Sequence, residues 1–282
     1  MSAGRDGPRG PRGLLALVPL LALLGCPDPR PGSSGGASAV PSGASPRAAT
    51  ITVAAAADLA FALDELLAAF RAAHPDTRVQ VSYGSSGSFY AQLVNQAPFD
   101  LYLSADVAYP RRLAEAGHGL EPPFLYAYGR IVVWAPSSSP IDVERLGAQA
   151  LLDPAAVKVA IANPRHAPYG RAAEAALRSL GLYEQVAPRL VLGENIAQTA
   201  QFVDTGNADL GVIALSLALS PPLRQRGKWW RVPEQAYPPL EQGGLILRWA
   251  RDPSAARELQ RFLTGPEGRA VLERYGFGLP PG

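Results

Sequence analysis

Cysteine, methionine and histidine are nearly missing from this chain of 282 residues, which has one Cys, one Met and three His. A lone cysteine, Cys26, makes no internal disulfide and no multi-cysteine zinc site. His74, His118 and His166 stand too far apart in sequence for a local metal-ligand motif. An excess of one charge is missing too. Lys and Arg number 26 against 24 Asp and Glu, so the chain lacks the basic field that nucleic-acid binders use. The apolar run Leu14–Leu24 is broken by Pro19 and falls well short of the ~20 residues of a spanning helix. What is present is an apolar content of 48%, too high for a disordered chain. The length allows one large or two modest domains.

Charge and cysteine are unevenly placed. Arg5, Arg9 and Arg12 face only Asp6 in the first twelve residues, and the short apolar run ends at Gly25-Cys26. A basic start, a short apolar core and a small residue at the cut point describe an export signal. Leu23-Leu24-Gly25-Cys26 resembles a bacterial lipobox, which implies Cys26 as the lipidated first residue of an exported, membrane-anchored protein. Beyond Cys26 the formal charges balance at 23 basic and 23 acidic residues. Residues 27–48 are almost wholly Pro, Gly, Ser and Ala, the composition of a flexible tether.

From about Ala49 onward, strand and helix patterns alternate. Ile51–Val53 reads as a strand, and Leu59, Leu63, Leu66, Leu67 and Phe70 recur at helical spacing up to Ala73. Val79, Val81 and Tyr83 alternate as a half-buried strand, followed by a turn at Gly84–Gly87 and a helix over Phe89–Asn95. Strands are expected at Phe99–Leu103, Arg130–Ala135, Val157–Ala162, Leu210–Ala214 and Leu245–Trp249. Helices are expected at Arg171–Leu180, Ile196–Val203, Ala255–Leu263 and Glu267–Tyr275. Repeated strand–helix–strand order predicts an α/β protein with helices on both faces of largely parallel sheets.

Ligands of such sheets sit beyond the carboxyl ends of the strands, where helix N-termini gather. Four strand-to-helix turns there are small or polar: Ala54–Asp58, Gly84–Ser88, Ala167–Gly170 and Gly193–Ile196. Gly84-Ser85-Ser86-Gly87-Ser88 combines close backbone approach, hydroxyl donors and a helix start, which suits an oxyanion without any cationic side chain. Taken alone, the same run also reads as an ordinary N-cap.

The segments ITVAAAADL, VSYGSSGSFYAQL, PFDLYLSAD, IANPRHAPYGRAA, LGENIAQTAQFVDTGNADLGVIALS and ERYGFGLP, in this order, resemble the periplasmic molybdate-binding proteins of ABC importers (the ModA family). The resemblance spans nearly all of 50–279. It implies a two-lobed periplasmic binding protein of type II topology, with the oxyanion in the interlobe cleft and two crossovers between lobes. The implied division is 50–129 plus 245–282 for lobe one and 130–244 for lobe two, behind the signal at 1–26 and the tether at 27–48. The implied ligand contacts are Ala57 and Asp58, Ser85 and Ser86, Tyr169, and the backbone of Ile196 and Ala197. The implied partners are molybdate or tungstate, an inner-membrane ABC permease and a membrane reached through the lipid anchor. A monomer without a cofactor, without nucleic acid and without a bare metal cation completes that expectation. Sulfate or phosphate remains an alternative ligand, and an enzyme acting on a small anion is a more distant one.

Asp58 departs from the family pattern, where many members place a hydrogen-bond donor. An ionised carboxylate only accepts, and two unit charges 4 Å apart repel by about 4 kcal/mol at an effective dielectric of 20. Three readings stay open: the carboxylate turns away and caps the helix beginning at Leu59, it is protonated and donates, or it accepts from a protonated oxyanion. Ser86, Asp58 and a histidine can be imagined as a hydrolytic triad, but no G-x-S-x-G elbow is present. Trp229 and Trp230 fit packing at a lobe edge. Glu241-Gln242 reads as a hinge or a surface turn.

Overall fold

The computed structural model describes residues 49–281. The export signal at 1–26, Cys26 and the tether at 27–48 lie outside the described residues. The first part of the chain forms β1 (Ala49–Ala56), a single 3-10 turn (Ala57–Leu59), α1 (Ala60–Ala73), β2 (Thr77–Gly84), α2 (Ser86–Val94), β3 (Leu101–Ser104), α3 (Ala108–Glu115) and β4 (Phe124–Gly129). The middle part forms β5 (Ile131–Pro136), α4 (Val143–Leu146), β6 (Val159–Ala162), α5 (Pro168–Ser179), α6 (Tyr183–Val186) and β7 (Leu190–Gly193). It continues through α7 (Ile196–Asp204), β8 (Leu210–Ala214), α8 (Leu215–Ala218) and β9 (Gly227–Arg231). The last part is β10 (Leu240–Ile246), α9 (Pro253–Thr264) and α10 (Pro266–Arg274).

Two five-stranded sheets carry the two lobes, ordered β2-β1-β3-β10-β4 and β7-β6-β8-β5-β9. In the first, β1 runs parallel to β2 and β3, while β10 is antiparallel to β3 and β4. In the second, β6 runs parallel to β7 and β8, while β5 is antiparallel to β8 and β9. Each lobe is therefore a mixed sheet wrapped by helices. The chain crosses once between β4 and β5, with only Arg130 between them, and once between β9 and β10.

Strand side chains alternate between faces, and here both faces are buried. Ile51, Val53 and Ala55 of β1 pack with α1, α9 and α10, whereas Ala54 packs on the opposite face with Phe89 and Leu93 of α2. Burial on both faces explains why these strands read as apolar runs. In α1, Leu63, Leu66, Leu67 and Phe70 are buried as their spacing predicts.

Several boundaries differ from the expectation, each for a local reason. α2 begins at Ser86 instead of Phe89, because Ser85 caps it by accepting the Ser88 N–H at 3.3 Å. α5 begins at Pro168 instead of Arg171. A proline at the first helical position forfeits an N–H that would have had no intrahelical partner. The late strand is Leu240–Ile246, not Leu245–Trp249: Gly243 and Gly244 hide its alternation, and a bulge between Gln242 and Gly243 breaks its register. Gln242, expected at a hinge or surface turn, is fully buried in that strand.

Candidate functional site

Register brings the candidate turns together. Ala56 pairs with Gly84, so the turn after β1 lies beside the turn after β2. Ala162 pairs with Gly193, so the turns after β6 and β7 lie side by side in the other lobe. The two pairs of turns face one another across the cleft. A small, half-open cavity there is lined by Ala56, Ala57, Asp58, Ser86, Tyr169 and Ile196 among others. Its free space for the centre of a water-sized sphere is about 10 Å³, the scale of one water.

The cavity is a meeting point of helix starts: the turn leading into α1 and the start of α2 from lobe one, α5 and α7 from lobe two. The leading N–H groups of a helix have no carbonyl one turn behind them, and the dipole puts partial positive charge there. Such ends hold an anion without a cationic side chain. The Ser86 hydroxyl accepts the Ala105 N–H at 2.9 Å, leaving its own proton to donate. Tyr102 fixes that turn from below by donating to the Ser86 carbonyl at 2.7 Å.

Of the residues expected at the site, Ala57, Asp58, Ser85, Ser86, Tyr169 and Ile196 all line the cavity. Ala197 does not, and its N–H is already given to the Asn195 side chain at 3.0 Å. Ser85 is also committed, bonding Ser88 Oγ at 2.7 Å and His166 Nδ1 at 3.0 Å.

Asp58 does not cap a helix: neither the 3-10 turn nor α1 has a side-chain cap. Its carboxyl Oδ2 instead accepts from the Tyr169 hydroxyl at 2.9 Å and the Gln242 amide at 2.5 Å. The same amide reaches Tyr169 Oη at 3.1 Å, which closes a buried triangle across the lobes. Asp58 Oδ1 is buried with no partner, as is Gln242 Oε1. Burial pushes the Asp58 carboxyl up to about 6, while the Gln242 and Tyr169 bonds pull it back. The Tyr169 phenol is pushed well up by burial and by the adjacent Asp58 charge, so it stays a donor. The bulge at Gln242 re-aims its side chain, a common use of bulges beside functional sites. Sequence alone offered no sign of that role, since Gln beside two glycines reads as a turn.

The cleft rim carries further bonds between lobes. Gly87 N–H donates to the His166 carbonyl at 2.9 Å, and Ser88 Oγ donates to Glu194 at 3.1 Å. His166 also stands 3.4 Å from Glu194 through Nε2. Ser85, His166 and Glu194 thus form a file resembling a hydrolytic relay. Ser85 is occupied by Ser88, however, and Glu194 is largely exposed and shared with Ser88, so the file serves as a clasp. The imagined Ser86–His–Asp58 triad is absent, since Ser86 and Asp58 each have other partners. Among the described residues no group of His, Cys, Asp and Glu is placed to hold a metal ion. Trp229 and Trp230 lie on β9, the edge strand of the second sheet, paired with Trp134 and Val133.

Comparison with known proteins places this geometry in context. The family model of bacterial extracellular solute-binding proteins matches residues 51–278. A molybdate-binding protein ModA of Azotobacter vinelandii is 40% identical over 236 residues, covering 83% of this chain and 91% of that one. A molybdate-binding protein ModA of Rhodobacter capsulatus is 37% identical, covering 71% and 77%. The solved periplasmic molybdate-binding protein of Azotobacter vinelandii superposes with a TM-score of 0.76 at 29% identity, covering 82% of this chain and all of that one.

Proposed function

We propose a function from one premise: this chain belongs to the bacterial extracellular solute-binding proteins, and within them to the ModA type. The chain captures molybdate outside the inner membrane and delivers it to an ABC permease. The observation that carries this reading is the convergence of helix starts from both lobes on one small cavity that no cationic side chain lines. Backbone N–H groups, the Ser86 hydroxyl and the Tyr169 phenol would then hold the oxyanion. Of the expected contacts, Ala57, Asp58, Ser86, Tyr169 and Ile196 carry the site, with Ser85 a support for Ser86. Ala197 takes part only if Asn195 releases its N–H.

Tungstate, nearly the same size as molybdate, binds comparably in this reading, while the smaller sulfate is held loosely. The protein works as a binding module and a monomer, with no catalytic step. The sheet membership of β10 supports lobe limits of 49–129 plus 240–281 and 130–239. The lipobox-like Leu23–Cys26 supports a lipid anchor at Cys26, which keeps the module near its permease.

A melting screen against molybdate, tungstate, sulfate, phosphate and chromate tests the function. Ligand at a hundredfold over its Kd stabilises by about 2.7 kcal/mol, and the upward shift is expected for molybdate and tungstate. A larger shift with phosphate or sulfate, or none with molybdate and tungstate, overturns the assignment.

A further inference from the structure

Asp58 is the feature an oxyanion site does not explain. A carboxyl group lies at the meeting point of the helix starts, 1% exposed, and lines the cavity where a dianion would sit. No cation offsets it: among the described residues it takes part in no salt bridge, and its partners are the phenol of Tyr169 and the amide of Gln242. The Tyr126 phenol and the Ser216 hydroxyl that face it are neutral as well. β4 brings the Tyr126 phenol, which burial keeps protonated, and α8 brings the Ser216 hydroxyl, which donates to the Asp58 carbonyl at 2.8 Å. The α2 turn brings Ser85 and Ser86, with His166 and Glu194 behind Ser85. One carboxyl oxygen, Oδ2, is held from two sides. The other, Oδ1, has no partner at all.

Resting on the oxyanion reading above, we propose that Asp58 is the proton-linked specificity residue of this site: it takes one proton from solvent as a dianion binds, and donates it from Oδ1 to an oxyanion oxygen. The geometry gives this a definite form. Oδ2 keeps accepting from Gln242 while Oδ1 acquires the proton, so the carboxyl changes from acceptor to donor without moving. A neutral acid also competes less for the Tyr169 hydroxyl, which frees that donor for the oxyanion as the lobes close. Gln242 is the positioning residue, because the bulge in β10 aims its amide at both Asp58 and Tyr169. The raised Asp58 titration noted above agrees in direction. The bound species is then a dianion together with one proton, which places the proton on the protein and leaves a tetrahedral dianion as the preferred ligand class.

Calorimetry with sodium molybdate at pH 8, in two buffers of different ionisation enthalpy, reads the proton count directly. Uptake close to one proton per molybdate is expected, with affinity falling about tenfold from pH 7 to pH 8 and again to pH 9. Asp58→Asn supplies a neutral donor at the same place, so it is expected to bind with no proton uptake and a flat pH profile. Wild-type binding with zero uptake overturns the proposal while leaving the oxyanion reading intact. Uptake that persists in Asp58→Asn assigns the proton elsewhere, with His166 the nearest alternative, and also overturns it. A folded Asp58→Asn that fails to bind does the same, because a neutral donor would then not suffice. If Asp58→Asn does not fold, the wild-type proton count still decides. No wild-type binding of molybdate or tungstate removes the functional reading and the proposal together.

Discussion

The two lobes meet the cavity with the same device, a helix start after a parallel strand, yet they cap those helices differently. In lobe one, Ser85 accepts only the Ser88 N–H, the Gly87 N–H goes across the cleft to the His166 carbonyl, and the Ser86 hydroxyl keeps its own proton to donate. In lobe two, Asn195 takes the N–H groups of both Ala197 and Gln198 at 3.0 Å. That cap stabilises α7 but consumes a donor the resemblance had assigned to the ligand. In the proposed site, the Tyr169 phenol would make up for that donor. The difference teaches that a helix start is available to an anion only to the extent that its own cap leaves it unsatisfied.

The sharpest way to break the comparison is through two glycines. A Cβ on Gly170 would collide with the Ala162 backbone inside lobe two, so Gly170→Ala is expected to cost about 3 kcal/mol or more by overpacking. A Cβ on Gly87 would lie 2.6 Å from the His166 carbonyl, which belongs to the opposite lobe. Gly87→Ala is therefore expected to leave the melting temperature of the free protein nearly unchanged while weakening molybdate at least tenfold. Urea titration and calorimetry of both variants separate damage within a lobe from damage between lobes.

Asp58 sharpens the contrast from the other side, since only lobe one buries an uncompensated carboxyl at the cavity. Its carboxyl is raised from 3.8 to about 6, which corresponds to about 3 kcal/mol. The sign follows from the two states. Below pH 3.8 folded and unfolded chains both carry the proton, so there is no penalty. As pH rises through 6 the unfolded chain is already ionised and the folded chain ionises against burial, so stability is lost. Asp58→Asn is thus expected to stabilise the free protein by up to about 3 kcal/mol at pH 8 and by nothing near pH 3.5, measured by urea unfolding at both.

The smallest effect belongs to the lobe-two cap. Asn195→Ala is expected to cost about 1 kcal/mol of stability. It also releases the Ala197 N–H, so molybdate affinity should hold or rise. A clear fall in affinity would show that Asn195 itself touches the anion.

Much of the scaffold was legible in the sequence, because its signals were local. The apolar spacing in α1, the alternation in β2 and the strand at Leu210–Ala214 needed no tertiary knowledge. The polar turns Ala54–Asp58, Gly84–Ser88 and Ala167–Gly170 were found by topology, since strand ends are where such sheets bind, and the resemblance singled out Ala57, Asp58, Ser85, Ser86 and Tyr169 within them. What stayed hidden depended on partners distant in sequence. Gln242 became meaningful only when β10 was inserted between β3 and β4 with a bulge that turns its amide toward Asp58. Of the three readings open for Asp58, capping fell away because its carboxyl is taken by Tyr169 and Gln242, both distant in sequence. The competition for the Ala197 N–H was equally hidden, because it depends on how the N-cap Asn195, two residues earlier, turns its side chain.

The crossings between the lobes carry a mechanical meaning. β4 lies beside β10 in one sheet and β5 beside β9 in the other, all antiparallel. The two connections therefore leave each sheet side by side, with Gly129 paired to Leu240 in one and Val132 to Arg231 in the other. Sliding one lobe past the other would strain ladder hydrogen bonds at both ends of this crossing, whereas bending at the connections leaves them intact. Bending at the crossings, a change of one angle, is thus the relative motion that costs the fewest of these bonds. In the proposed function, an oxyanion held between the lobes would set that angle, so its size would be felt at the crossings as well as in the cavity.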